Sequence, residues 1–386
     1  MKSLAQNWTP SNCLLTFYLA ERGDSEKLLD ETSRFIHSNF ASVTNSERFL
    51  NLPIEDVEWW IAQHGLFNLT ENDIENIIRR WIEHDKPKRE WKFKDLFSLV
   101  VACGGNDTFC YLPQKGKWCK LASSKYDFKD PRQLLYLKGR LYNFSLKLFG
   151  SCFLRWSPWS DQWTALPLPS KLIPEMVTVC RDIVYGVTSS SSDQVRFICK
   201  YNLESNSWET IPSSDGDVNR GACMVSHDKF LYFLGGMPAS SVTRKYDTTE
   251  IKWEKIADLQ QGRYSAFGAA CRGKIYVAGG KQHDDRYLRT CEVYDIAKDE
   301  WQFIASVRVP RSEASMVCYR GTLYVLGGVS KDGDASGLTV ECYDEEANEW
   351  NEITTIPKQV SDSCKFQACL LRSYKGFIDC LHPAGE

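Results

Sequence analysis

Apolar and polar positions follow two different periods along this chain. Between residues 10 and 85 the apolar side chains recur every three or four positions: Leu14, Phe17 and Tyr18; Leu28, Leu29, Phe35 and Ile36; Ile54, Val57, Trp60 and Ile61; Ile74, Ile77, Ile78 and Trp81. That spacing predicts short amphipathic helices. Start signals precede them at Pro10-Ser-Asn, Asp24-Ser25 and Thr70-Glu-Asn-Asp73, and Pro53 suits a first helical turn. Short joints between such helices predict an antiparallel helical array. From Phe93 onward the apolar positions instead form short runs bounded by glycine and charged residues, which predicts strands.

The strand region is periodic on a longer scale. Arg263-Tyr-Ser-Ala, Gly273-Lys-Ile-Tyr-Val-Ala-Gly-Gly280, Tyr294-Asp295 and Trp301 return as Arg311-Ser-Glu-Ala, Gly321-Thr-Leu-Tyr-Val-Leu-Gly-Gly328, Tyr343-Asp344 and Trp350. They are anticipated by Arg220-Gly-Ala, Phe230-Leu-Tyr-Phe-Leu-Gly235-Gly236, Tyr246-Asp247 and Trp253. Trp118, Trp163, Trp208 and Trp253 lie 45 residues apart, and Trp301 and Trp350 follow at 48 and 49. A period of this length marks a repeat architecture. Each unit reads as four short strands whose sheet cannot bury both faces alone, and stacking such sheets around an axis solves that.

The glycine pairs (Gly235 and Gly236, Gly279 and Gly280, Gly327 and Gly328), the Tyr-Asp steps and the phased tryptophans resemble the kelch repeat. The resemblance spans about residues 93–373. It is close in the last three repeats and degenerate in the first three, where Asn143-Phe144 and Val187-Thr188 replace the glycine pair. The first unit, with Val100–Gly105, has no strand before it, and Phe366–Arg372 is a spare strand after Trp350. The expected fold is therefore mainly β: a six-bladed kelch propeller closed by its C-terminal strand.

The helical segment resembles the BACK domain, through Ser11-Asn-Cys-Leu, Phe35-Ile-His-Ser-Asn-Phe40, Phe49-Leu-Asn-Leu-Pro53 and Glu71 through His84. BACK joins a BTB domain to a kelch propeller in kelch-like proteins. The expected division is a partial BACK-like domain over 1–85, a charged linker over 86–94, the propeller over 95–373 and a tail over 374–386. The expectation is a shortened form without the BTB domain.

Composition narrows the partners. Charged residues make up 25% of the chain and the net charge is −3. Neither nucleic acid nor an anionic membrane is expected as partner. The N-terminus lacks the apolar core of a signal peptide, so a cytoplasmic location is expected, with the nucleus as the alternative. The 15 cysteines are then expected to stay reduced. They show no Cys-x-x-Cys pair and recur at similar places in the repeats, as small buried hydrophobes would.

No enzyme, metal or cofactor is expected. His227 falls in a turn between the first and second strands of its repeat, and His283 in a loop between the second and third. Antiparallel alternation sends those to opposite ends, so they cannot share a metal. No nucleophile elbow or phosphate loop occurs. A sided surface is visible instead. The turns from first to second and from third to fourth strand are tight. The loops Lys281–Arg289 and Val329–Gly337 and the connections between repeats are long, and by alternation share one face.

Arg132, Arg220, Arg263 and Arg311 precede the inner strands, and with Tyr264, Ser312, His283 and Arg286 they are the expected substrate-binding residues of this mouth. Pairing of each arginine with a carboxylate of the next blade is the competing expectation. The six phased tryptophans and the glycine pairs are expected structural anchors. The resemblance implies a substrate-recruiting module like the adaptors of BTB–cullin–RING ubiquitin ligases, binding a protein substrate at the long-loop face. A cullin ligase would be engaged only if a BTB domain is supplied elsewhere. The alternative is a scaffold that binds actin or another filament protein.

Overall fold

The computed structural model describes residues 8–53 apart from position 24, parts of 56–85, the strands between 97 and 211, residues 218–356 with two short breaks, and 367–372. The chain divides into two compact units, a helical one within Met1–Leu96 and a β one over Phe97–Leu371. The expected linker at 86–94 and tail at 374–386 lie outside the described residues.

In the helical unit, α1 (Cys13–Arg22) and α2 (Glu26–Ser38) are followed by two single turns, α3 (Phe40–Val43) and α4 (Glu47–Leu50). Helical spacing puts Leu14, Phe17, Ile36, Phe49, Trp60 and Trp81 into one core. The two tryptophans also spend their indole N–H groups there, Trp60 on the Tyr18 hydroxyl at 3.2 Å and Trp81 on the Leu52 carbonyl at 2.9 Å. Ser25 occupies the N-cap of α2 without making the side-chain bond expected of it. Ser46, which sequence reading passed over, does cap α4 by accepting from the Phe49 N–H. The start signal at Thr70–Asp73 lies outside the described residues.

The β unit is a propeller of four-stranded antiparallel sheets. Its strands are β1 (Phe97–Ala102), β2 (Asp107–Leu112) and β3 (Lys117–Ser123); β4 (Pro131–Leu137), β5 (Arg140–Ser145), β6 (Cys152–Ser157) and β7 (Gln162–Leu166); β8 (Pro174–Cys180), β9 (Ile183–Ser189), β10 (Arg196–Asn202) and β11 (Ser207–Ile211). There follow β12 (Cys223–His227), β13 (Phe230–Leu234), β14 (Thr243–Asp247) and β15 (Lys252–Lys255); β16 (Phe267–Cys271), β17 (Lys274–Ala278), β18 (Cys291–Asp295) and β19 (Glu300–Ile304). The last are β20 (Ser315–Tyr319), β21 (Thr322–Leu326), β22 (Thr339–Asp344), β23 (Glu349–Thr355) and β24 (Gln367–Arg372). They form six sheets, and in the first the order is β24-β1-β2-β3.

The second strand of each well-kept repeat is buried on both faces, as its apolar run predicts: in β17, Ile275, Tyr276, Val277 and Ala278 are all inside. Neighbouring sheets share these cores. Cys223, Val225 and Tyr232 pack with Ile275, Val277, Tyr294 and Trp301 between the fourth and fifth sheets. Phe109, Tyr111 and Trp118 of the first sheet pack with Val317, Tyr319 and Leu326 of the sixth. The β24 backbone also reaches the sixth sheet, where Ala368 N donates to the Ser315 hydroxyl at 2.8 Å. Stopping the chain after Ser363 should therefore open an edge on β1 and lower the melting temperature. A truncated protein that melts with its parent would show that β24 adds nothing to the sheet.

The tight turns are built by the Tyr-Asp steps. Asp247, Asp295 and Asp344 each accept two backbone N–H groups from the residues two and three further on. Lys229 beside Asp247, together with those N–H donors, holds that carboxyl at about 2.

Candidate functional site: the long-loop end of the propeller

Repeat geometry brings the loops after the glycine pairs and the connections between sheets to one end. Tyr264 and Lys281 exchange backbone hydrogen bonds, as do Ser312 and Val329. The base of the loop at 281–289 is closed by Leu288 N to Gly280 O at 2.8 Å, and Gln282 N bonds Arg286 O at 3.0 Å within it. Its middle is tied to the neighbouring connection, since the Tyr264 hydroxyl donates to Asp285. That bond holds the phenol up to about 12. His283, Asp284 and Arg286 remain exposed at the tip. Arg286 turns back on its own loop, toward Gln282 and Asp284.

The glycine pairs sit where another backbone passes. At Gly279, with φ +59°, an added Cβ would lie 2.3 Å from the Arg311 carbonyl oxygen, and at Gly235 it would lie 2.3 Å from that of Arg263. In these two pairs the second glycine uses the contact: Gly236 N donates to Arg263 O and Gly280 N to Arg311 O, both at 2.8 Å. Only glycine combines the positive φ with that approach.

This arrangement corrects the expected role of two arginines. Arg263 and Arg311 are 0% exposed. Arg263 pairs with Glu292 at 2.6 Å and donates to the carbonyls of Gly279 and Thr290 at 2.9 Å. Arg311 repeats this with Glu341, Gly327 O and the Thr339 hydroxyl. Burial pulls the Arg311 guanidinium down from its ordinary range, while the Glu341 carboxylate opposes that pull. Both acids belong to the arginine's own sheet, on β18 and β22, so the expected pairing with the next blade is also corrected. Glu292 further accepts the backbone N–H groups of Gln260 and Gln261, which fixes the path of the incoming connection. These arginines cannot meet a partner; they hold the mouth in shape.

Arg220 is not their counterpart. Strand register aligns Cys223, Phe267 and Ser315, and the positive-φ residues two places earlier are Gly221, Ser265 and Glu313. Asn219 then matches Arg263 and Arg311, and its amide donates to Gly235 O at 3.1 Å as they do to Gly279 O and Gly327 O. On β14 the place of Glu292 is taken by Arg244, so the fourth sheet lacks both halves of the ion pair. Arg220 matches Tyr264 and Ser312, and unlike them it is exposed; Ser312 is 1% exposed and Tyr264 9%. The side chain of Arg132 lies outside the described residues.

Two exposed residues at this end were missed in the sequence, Arg289 and Arg308. Arg289 ends the long loop and its carbonyl receives Val307 N at 3.0 Å, which brings the two arginines onto adjoining segments. Among the described residues the guanidinium groups of Arg220, Arg289 and Arg308 have no ion-pair or hydrogen-bond partner. The opposite end differs: Arg181 pairs with Asp228 at 3.0 Å, Arg272 and Lys274 with Glu345 at 3.1 and 3.2 Å, and Lys298 with Asp295 at 3.8 Å. Basic loop residues were visible in the sequence; whether each is buried, paired or free was not.

Trp301 and Trp350 anchor their seams. Trp301 donates its indole N–H to Ala257 O at 2.9 Å, and Asp299 accepts from Ala257 N at 2.8 Å, so the fifth sheet grips the chain leaving the fourth by both backbone groups. Trp350 and Asn348 grip Ala305 in the same way. Trp118 and Trp163 are buried, while Trp208 and Trp253 are partly so. Burial pushes the thiols of Cys199, Cys223 and Cys291 up to about 12, as for small hydrophobes. The expectation of uniformly free thiols is corrected by Cys271 and Cys318, which are joined as a disulfide. Among the described residues no group of three or more His, Cys, Asp or Glu side chains could hold a metal ion.

The comparisons with known proteins agree with this architecture. The KLHDC2/KLHL20/DRC7 Kelch-repeats domain matches residues 221–379, and the BACK (BTB And C-terminal Kelch) domain matches residues 13–103. Kelch-like protein 7 of Rattus norvegicus is 25% identical over 276 residues, which cover 70% of this chain and 42% of that protein. Kelch-like protein 11 of Mus musculus is 20% identical over 375 residues, covering 94% of this chain and 50% of that protein. The chain thus spans about half the length of the curated relatives it matches. The solved structure of YjhT superposes with a TM-score of 0.55 at 14% identity, over 68% of this chain and 98% of that one, and shares the fold. With a BACK match followed by a Kelch-repeats match, the chain is similar to the kelch-like proteins.

Proposed function

We propose that this protein recruits a substrate protein for a cullin–RING ubiquitin ligase and carries out no catalysis itself. In this reading the six sheets are the blades of one ring closed by β24, and the long-loop end is the substrate face. A cullin is engaged where a BTB domain is supplied, and the location is cytoplasmic, with the nucleus as the alternative. The observation that carries the reading is the contrast between the two ends. One end presents Arg220, Arg289 and Arg308 without partners, while the other neutralises its basic groups with neighbouring acids. A guanidinium fork matches a carboxylate, and arginine is enriched among residues that dominate binding energy. The substrate segment is accordingly acidic.

Co-purification from cells, with the wild-type chain and charge variants compared side by side, tests this. Ubiquitin-ligase subunits together with one substrate should be recovered. Arg220→Ala or Arg308→Ala should weaken substrate binding by about 2 kcal/mol for an engaged arginine, with the melting temperature unchanged. Lys298→Ala, at the opposite end, should do neither. Recovery of filament proteins without ligase subunits would overturn the adaptor reading in favour of a cytoskeletal scaffold. Full-strength binding by both arginine variants would move the site elsewhere.

A further inference from the structure

The innermost strands of the fifth and sixth sheets are joined by sulfur. Cys271 ends β16, Cys318 lies one residue before the end of β20, and their Cα atoms are 5.5 Å apart. Register shows what stands at the same two places around the ring. Cys180, His227 and Cys271 each pair with the first residue of the following strand, Ile183, Phe230 and Lys274. The place of Cys318 is held by Ser226 in the fourth sheet and Ala270 in the fifth. Cys180 thus corresponds with Ser226 across one seam and His227 with Ala270 across the next. The Ser226 hydroxyl bonds back to Val179 O at 2.6 Å, so this place touches the preceding sheet wherever its side chain is long enough. Among these seams only the one between the fifth and sixth sheets brings two thiols together. The two also differ in access: Cys271 is 4% exposed, whereas Cys318 is half-buried.

We propose that Cys271 and Cys318 form a reversible thiol–disulfide modification site, oxidised by a small disulfide of the glutathione type. The accessible Cys318 thiolate attacks one sulfur of oxidised glutathione, forming a mixed disulfide and releasing one glutathione thiolate. Cys271, deprotonated in its turn, attacks the Cys318 sulfur and expels the second glutathione thiolate. Two protein thiols are oxidised, one small disulfide is reduced to two thiols, and the two protons pass to the departing thiolates. The product ties two sheets through their innermost strands and closes a loop across 47 residues. Reduced glutathione runs the same steps backward.

The test uses the full chain equilibrated in buffers of oxidised and reduced glutathione, quenched in acid, alkylated in denaturant and mapped by mass spectrometry. The oxidised buffer should lower the number of alkylated thiols by two and yield one cross-linked peptide pair, Cys271 with Cys318; reduced glutathione should restore both thiols. Cys271→Ser should stop at the mixed disulfide, gaining one glutathionyl group at position 318. Free Cys271 and Cys318 in the oxidised buffer would overturn the site. A cross-link that reduced glutathione leaves intact would overturn its reversibility. A Cys271→Ser chain that takes up no glutathionyl group would overturn the order of attack.

Discussion

Arg311→Ala should cost about 3–5 kcal/mol of stability, because it leaves the Glu341 carboxylate buried without its counter-charge. The same change strips donors from Gly327 O and the Thr339 hydroxyl. Chemical denaturation of the purified chain measures the loss. The double change Arg311→Met with Glu341→Leu should recover most of it, since removing both charges leaves no uncompensated ion in the interior. Arg220→Ala should stay within about 0.5 kcal/mol of the parent, as surface changes do. An Arg311→Ala protein that keeps its melting temperature but loses its substrate would return this arginine to the binding surface.

Trp301→Ala should cost a similar amount, about 3–5 kcal/mol, for a different reason. It empties a large volume between the fourth and fifth sheets and orphans the Ala257 carbonyl. Trp8, which lies outside the repeat phase and is only partly buried, should lose less on the same substitution. Equal losses at positions 8 and 301 would mean that the 45-residue rhythm of tryptophans has no bearing on how the sheets are held together.

The strands and their order were legible because each repeat states its own punctuation. Gly279-Gly280, Asp295 and Trp301 carry constraints that depend on backbone conformation and volume, and these survive in one-dimensional form. The arginines were not legible. A basic residue before an inner strand looks the same whether its guanidinium faces water or an interior carboxylate. The missing clue was Glu292, and likewise Glu341: an acidic residue inside a strand rather than at its end, about thirty positions away from its partner. Arg220 misled for a second reason. It stands one place out of register with Arg263, and only the pairing of Cys223 with Leu234 against Phe267 with Ala278 reveals Asn219 as the equivalent. The cross-link between Cys271 and Cys318 was hidden for a related reason: the repeat makes their strands neighbours, but the two cysteines stand one place out of register with each other.

The loop at 281–289 is held at its base by main-chain bonds, Lys281 with Tyr264 and Leu288 with Gly280, and its last residue receives Val307 N. Bonds of that kind are indifferent to which amino acids supply them. The tip, residues 282–287, can therefore drift in sequence without disturbing the seam beneath it, apart from the tie of Asp285 to Tyr264. Heredity of shape and heredity of recognition are lodged in different atoms: the first in glycines, buried ion pairs and indoles, the second in a few solvent-facing side chains. A gene built this way can change its partner by small steps, each leaving a folded protein on which selection can act.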